Sequence, residues 1–328
     1  MGPEVSDNRT ITVTDVHPCY DIHDFDYILS NTPSVICVLL YVFLFLLSVV
    51  TVCGNLLVII SILYFTQLHS PTNFLILSLA VADILVGIIV FPLSMAFSLS
   101  SCLYHEDLFC KIRSSFDVSL STCSILNLCC ISIDRYYAVC QPLTYKTKIT
   151  HRIAVLMILF SWGGSALIGI GILISGLSET CEVCFIEAFM VNTIGSIFSF
   201  YFPVIIMLCI YLKIFLVAQK QARRIMNTTH KSGETASKME RKATKTLAIV
   251  LGVFLLCWTP LFLCITFPSL SSSAPVPLFE TLNWLTLSNS MLNPFIYAFF
   301  YSWFRSAFRM IISGKIFRGD LTNTKLQN

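Results

Sequence analysis

Seven stretches of this chain are each long and apolar enough to demand a bilayer. They run from Val35 to Tyr64, Asn73 to Leu99, Phe109 to Val139, Ile153 to Ile174, Phe189 to Val217, Thr246 to Phe267 and Pro277 to Phe300. Each exceeds the roughly 20 residues a spanning helix requires. Hydrophobic residues make up 56% of the 328 and charged residues 12%, against about 25% charged in ordinary soluble domains. Lipid offers no hydrogen bonds, so the backbone of such runs must be satisfied internally. The expected fold is therefore an all-α membrane protein, a seven-transmembrane helix bundle with a short C-terminal amphipathic helix. That last helix is read from Tyr301, Trp303, Phe304, Arg305, Phe308 and Arg309, an aromatic and basic pattern suited to the membrane surface.

Seven spans put the termini on opposite sides. Only Arg9, Lys111 and Arg113 fall on the side of the N-terminus, and the other 18 of 21 basic residues lie opposite, which makes that opposite side cytoplasmic. The chain divides accordingly into an extracellular segment (1–34), the bundle (35–300), the surface helix (301–313) and a cytoplasmic tail (314–328), and its expected place is the plasma membrane. The first 30 residues are polar and acidic rather than basic and then apolar, so the first span is expected to direct insertion. Asn8 heads an acceptable glycosylation triplet on the outer side. Acidic residues gather outside as well, among them Asp21, Asp24, Glu106, Asp107, Glu182 and Glu187, and would attract a cation. The net charge of +3 reflects the inner loops, not nucleic-acid binding. Of the 14 cysteines, only Cys19, Cys102, Cys110, Cys181 and Cys184 face the oxidising side; the rest lie in spans or at their inner ends, where they act as small apolar residues.

Polar residues inside the apolar runs carry the chemistry. Asp117 lies seven residues inside Cys110, about 10 Å deeper along the third span, and an intramembrane acid is functional by default. Its structural alternative is an internal ion pair, but the spans hold no deeply placed Lys or Arg. Arg135 stands about 27 Å further along the same helix. At that inner end Asp134, Arg135 and Tyr136 meet Glu240 of the sixth span, two carboxylates and a guanidinium that can form a latch or an ordinary juxtamembrane charge cluster. In the sixth span Phe254, Trp258 and Phe262 recur every four residues around Pro260, an aromatic stripe on a helix able to bend. Asp83 in the second span has Ser124, Asn289 and Ser290 as plausible oxygen neighbours. Such a set suits a sodium ion; a hydrogen-bonded water network or a protonated acid fits the same spacing. In the seventh span, Pro294 frees a carbonyl one turn earlier within the run NSMLNPFIYAFFYSWF, and Asn289, Ser290 and Asn293 must face the bundle interior.

Taken together these residues resemble the rhodopsin-like G-protein-coupled receptors: Gly54-Asn55, Leu79 to Asp83, Asp134-Arg135-Tyr136, Trp162, Pro203 with Tyr211, Cys257-Trp258-Thr259-Pro260, and Asn293-Pro294 with Tyr297. The seventh-span pattern NSxxNPxxYxxxYxWF is similar to the fingerprint of the trace amine-associated receptors. On the outer side we expect Cys110 to pair with Cys184 and Cys19 with Cys181, and the second pair also fits that family. The resemblance implies no enzyme and no obligatory cofactor, with sodium at Asp83 as the one candidate. It implies an amine detector, olfactory in most relatives, that activates a stimulatory G protein and raises cyclic AMP. Asp117 is where amine receptors hold the ligand's ammonium, with Phe116, Ser121, Ser196, Ser199, Trp258, Phe262, Ile265, Asn283 and Leu287 expected around it. Gly195 stands where diamine-sensing relatives carry a second acid, and Leu287 where aminergic relatives commonly have a tyrosine.

In the expected mechanism packing at Trp258 swings the sixth helix about Pro260 and separates Glu240 from Arg135. Arg135, Pro142, Leu143 and Tyr211 then receive the G protein, while Asn293, Pro294 and Tyr297 form part of the switch. A transporter is disfavoured by seven spans without inverted halves. Retinal binding is excluded because no lysine lies between Lys245 and Lys315. A receptor of the same fold for another biogenic amine or a small cationic peptide is the alternative.

Overall fold

The computed structural model describes residues 35–99, 107–177, 195–228, 233–267 and 276–314. Among them are seven long helices. The first is Val35–Tyr64. The second joins Pro71–Leu85 and Phe91–Leu99 through a π-helical turn, Val86–Val90, and the third is Asp107–Cys140. The fourth is His151–Leu177. The fifth runs through a second π-helical turn, Ile197–Tyr201, into Phe202–Thr228; the sixth is Gly233–Thr266 and the seventh Val276–Phe300. Two short helices, Pro142–Lys148 and Ser302–Ile312, follow the third and seventh. The fifth and sixth helices overrun their apolar runs on the inner side, where Lys, Arg, Gln and Glu are good helix formers in water.

Six of the seven are long and apolar enough to cross a membrane by length and composition over the described residues. The seventh falls short because Asn283, Ser288, Asn289, Ser290 and Asn293 interrupt it. Those interruptions face protein: Asn289, Ser290 and Asn293 are all buried.

The helices close into a ring. First packs on second and seventh, sixth on fifth and seventh, and the third touches second, fourth and fifth. In the second and third spans 61% and 56% of residues are buried, against 22% in the fourth and sixth, so the second and third are the central elements. The outer faces carry Leu39, Phe43 and Leu46 of the first span and Leu156, Phe160 and Leu167 of the fourth, all exposed. This is the order expected in lipid, with apolar side chains outward and Asn55, Asp83, Asn127 and Asn293 inward.

Local sequence explains how the interior holds together. Ser70 caps the second helix, accepting from the Asn73 N–H at 3.3 Å, with Pro71 at the first helical position. Pro294 has no N–H to give the Ser290 carbonyl, and Asn55 Nδ2 of the first helix donates to that oxygen at 3.0 Å instead. A Cβ on Gly54 would stand 3.0 Å from the Pro294 ring, so the first and seventh helices meet backbone to ring at that point. In the second helix the π turn sends the Phe91 N–H to Val86, and Pro92 has none to offer, which leaves the Gly87 carbonyl for Ser48 Oγ at 2.8 Å. At Pro294 and at Pro92 the carbonyl left without its N–H is thus taken by a side chain of the first helix.

The third and fourth helices approach closely through small residues. Ser115 Oγ donates to the Gly169 carbonyl at 2.7 Å and Ser119 Oγ to the Ser165 carbonyl at 3.1 Å, while Trp162 Nε1 reaches across to Ser78 Oγ at 3.0 Å. The short helix Ser302–Ile312 buries Ala307 against Phe65 and Leu68, and Phe304 among Val58, Ile62 and Tyr297. Arg305 Nη1 donates to the Ala298 and Phe299 carbonyls at 3.1 and 3.0 Å, which satisfies the end of the seventh helix as the chain turns.

A Cβ on Gly169 would stand 2.8 Å from Ser119 Cβ, whereas Gly171 has nothing within 4 Å. Gly169→Val is therefore expected to cost about 1–3 kcal/mol by overpacking and to lower the thermal inactivation temperature of detergent-solubilised protein. Gly171→Val, facing lipid, should leave that temperature near the wild-type value.

Candidate ligand pocket and switch

The third helix carries three stations along one rod. Asp117 is the outermost. Ser121 Oγ, one turn inward, donates to its Oδ1 at 3.3 Å, and Asn283 of the seventh helix reaches the same carboxylate. The residue that sequence reasoning missed is Arg113. It stands one turn outward on the same face, its charge acts on Asp117, and its Nε donates to the buried Ser94 Oγ of the second helix at 3.3 Å. The picture of Asp117 as a carboxylate with no basic neighbour is corrected accordingly. The signal was the four-residue spacing, which puts side chains about 5–6 Å apart at Cβ.

The aromatic stripe of the sixth helix is a continuous stack. Phe254 and Trp258 lie 6.2 Å apart between ring centroids, Trp258 and Phe262 6.1 Å. Phe262 stacks flat on Phe200 of the fifth helix at 4.0 Å and 5°. Tyr201, next in the π turn, donates its hydroxyl to the Phe262 carbonyl at 3.2 Å and shares a bond with Thr266 Oγ1 at 2.8 Å, so the fifth and sixth helices are tied at this level. Ser196 and Ser199 are buried on the fifth helix, at and within the same π turn. Leu287 is fully packed beside Leu120, Phe91 and Val90. Phe116 and Ile265 are exposed; Phe116 is turned from Asp117 by the roughly 100° that separates adjacent helix positions.

The second station is Asp83, fully buried, which meets the third helix at Ser124, about 10 Å inward of Asp117. Ser124 Oγ donates to its Oδ1 at 3.3 Å, Asn293 Nδ2 to its Oδ2 at 2.7 Å, and Ser290 serves the same carboxylate. Asn127 Oδ1, Asn289 Nδ2 and Trp258 Nε1 are buried without a hydrogen-bond partner among the described residues.

The third station is the end of the helix farthest from Asp117. Asp134 is fully buried and receives the Nε and Nη2 of Arg135 on its Oδ2 at 3.0 and 2.8 Å. Thr72 Oγ1 donates to both of its oxygens at 3.1 and 3.0 Å, and the Tyr145 hydroxyl to Oδ1 at 2.9 Å. Thr72 and Tyr145 were not foreseen; neither position is marked by spacing, since one opens the second helix and the other lies in the short helix begun by Pro142. Leu143 in that helix is 96% exposed. The Tyr211 hydroxyl accepts from Ser132 Oγ at 3.1 Å, and Lys213 Nζ stands 5.4 Å over the Tyr136 ring. Tyr297 is buried against Phe304, ring centroids 6.4 Å apart. The carboxylate seen against Arg135 is thus its own neighbour Asp134; the side chain of Glu240 lies outside the described residues, as do the cysteine pairs Cys110 with Cys184 and Cys19 with Cys181, and Asn8.

Comparison with known proteins agrees with this arrangement. Residues 54–297 match the family described as 7 transmembrane receptor (rhodopsin family). The chain is 43% identical over 314 aligned positions to trace amine-associated receptor 4 of Mus musculus, covering 90% of each chain. It is 42% identical over 332 aligned positions to trace amine-associated receptor 1 of Macaca mulatta, covering 94% of this chain and 97% of that one. With trace amine-associated receptor 2 of Homo sapiens it shares 43% over 292, covering 84% and 82%. The chain therefore belongs to the rhodopsin family of seven-transmembrane receptors, in its trace amine-associated branch, and is a receptor and not an enzyme.

Proposed function

We propose that this receptor binds a small protonated amine from outside the cell, pairs its ammonium with Asp117, and activates a heterotrimeric G protein of the stimulatory type, raising cyclic AMP in an olfactory setting. The observation that carries the proposal is the Asp117 carboxylate within the bundle, flanked by Ser121 and Asn283. The trace amine names of its relatives support the ligand class. In this proposal the receptor sits in the plasma membrane with residues 1–34 outside and 314–328 inside, flanking the bundle (35–300) and surface helix (301–313).

A charge-assisted contact to Asp117 holds the cation, and the ligand's apolar body rests on the stack of Trp258, Phe262 and Phe200. Binding shifts the resting balance only through contacts that differ between states. The differing element is the sixth helix, which bends at Pro260 and slides its aromatic stripe past Phe200. At the inner end the shift frees Arg135 from Asp134 and from Glu240, and opens a cleft lined by Arg135, Pro142, Leu143 and Tyr211.

A sodium ion fits Asp83 by donor chemistry: the carboxylate's bonding partners, Ser124, Ser290 and Asn293, are all neutral and leave its charge unanswered among the described residues. Asp83, Ser124, Ser290 and Asn289 would hold it, and its charge would stabilise the ionised carboxylate inside the bundle.

Removing one partner of a desolvated ion pair costs on the order of 3–5 kcal/mol, or two to three decades of affinity or more. Asp117→Ala is accordingly expected to shift amine-evoked cyclic AMP to at least 100-fold higher concentration, and an unmoved dose–response curve would reject the pairing. Asp134→Asn withdraws the charge that holds Arg135 and should raise ligand-independent cyclic AMP several-fold at equal surface expression; a baseline at the wild-type level would count against the lock.

A further inference from the structure

We infer that the hydroxyls of Tyr201 and Thr266 form a clasp between the fifth and sixth helices, which holds the receptor at rest until a ligand displaces Phe262. This rests on the movement proposed above, in which the sixth helix bends at Pro260 and its aromatic stripe slides past Phe200. Tyr201 closes the π turn Ile197–Tyr201, directly after Phe200. A π turn holds more residues per turn than an α-helix, so neighbouring side chains diverge by less than the usual 100° or so. Phe200 and Tyr201 therefore both reach the sixth helix, and both meet the same residue. The rings of Phe200 and Phe262 stack at 4.0 Å, and those of Tyr201 and Phe262 meet edge to face at 6.2 Å between centroids.

The phenol has a single proton. Tyr201 gives it to the Phe262 carbonyl at 3.2 Å, so in the 2.8 Å contact with Thr266 the threonine hydroxyl donates and the phenolic oxygen accepts. Both partners lie on the stretch of the sixth helix that follows Pro260. Phe262 thereby has two roles at once. Its ring belongs to the surface offered to the ligand's apolar body, and its carbonyl is fastened to the fifth helix. A ring pushed along the stack carries its own backbone with it. At 3.2 Å the carbonyl bond is already long, and about 0.4 Å of further separation ends it. Contact with the ligand and release of the clasp are thus one displacement of one residue. Tyr201→Phe keeps the ring contacts and removes the hydroxyl alone. Thr266 can then turn its own hydroxyl to the carbonyl four residues back, which is that of Phe262, so no polar group is stranded.

The test reads cyclic AMP in cells carrying the full-length receptor at equal surface expression, with no amine added. Losing one net hydrogen bond from the resting state shifts a two-state balance by about 2- to 10-fold. Tyr201→Phe, which loses both bonds, should raise the ligand-independent signal about 3-fold or more, and Thr266→Val about 2-fold. Thr266→Ser keeps the hydroxyl and should stay at the wild-type level. The double variant of Tyr201→Phe with Thr266→Val should match Tyr201→Phe alone, because Thr266 is bonded to the fifth helix through the phenol. A role in packing alone predicts no change in Tyr201→Phe, whose ring is intact. If Tyr201→Phe fails to reach the surface, the comparison of Thr266→Val with Thr266→Ser decides. A baseline unmoved or lowered in Tyr201→Phe, Ser behaving as Val at 266, or a double variant that adds both increments in full overturns the inference. Asp134→Asn separates the clasp from the reading beneath it. A baseline raised by Asp134→Asn but indifferent to residues 201 and 266 removes the clasp alone; one indifferent to all three positions removes the cyclic AMP reading and the clasp together.

Discussion

Lipid cannot accept or donate a hydrogen bond, and that one deficiency organises this protein. An interrupted helix ladder calls for repair by a neighbour, and two repairs are visible among the described residues. The carbonyl freed by Pro294 is taken by Asn55, and the one freed near Pro92 by Ser48. Each repair couples two helices at a point where one of them is bent. Breaks in the second and seventh helices therefore act as joints. They are the places where a bundle can change shape without leaving backbone groups in hydrocarbon.

The same deficiency concentrates charge on the bundle axis. Asp117, Asp83 and Asp134 all meet the third helix, at successive depths, and each is answered by short polar groups from other helices: Asn283, Asn293, and Thr72 with Tyr145. A buried carboxylate with such partners is costly to disturb singly, but two arrangements of the same partners can differ by little. The outer and inner stations share one rod, and an aromatic stack ties the fifth helix to the sixth beside it. Arg113 adds a basic group one turn outward of Asp117 and ties the third helix to Ser94 of the second.

Much of this was legible from residue types alone. Long apolar runs gave the helices, and the intramembrane carboxylates, the stripe Phe254, Trp258, Phe262 and the polar run around Pro294 gave the interior faces, because a side chain that lipid rejects must point inward. Arg113 is inconspicuous by membrane depth, which puts it at the outer end of its span, but the four-residue spacing places it on the face of Asp117 whatever the depth. The π turns at Val86–Val90 and Ile197–Tyr201 were also unannounced. Each precedes a proline, Pro92 or Pro203, a position where the missing N–H already weakens the ladder, yet proline alone does not say whether a helix kinks, widens or breaks.

What the amino-acid order determined by itself was how many helices cross, which sides are basic, and which residues turn inward, since hydropathy and the 3.6-residue period are properties of one segment. Only the packed bundle decided who meets whom: that Asp134 is held by Thr72 and Tyr145 as well as Arg135, that Asn293 serves Asp83 from 210 positions away, and that Ser94 carries Arg113 across to the second helix. Periodicity names the face of a helix but not its register or rotation against the next. Those depend on how closely helices can approach, which here is settled by Gly54 against Pro294 and Gly169 against Ser119.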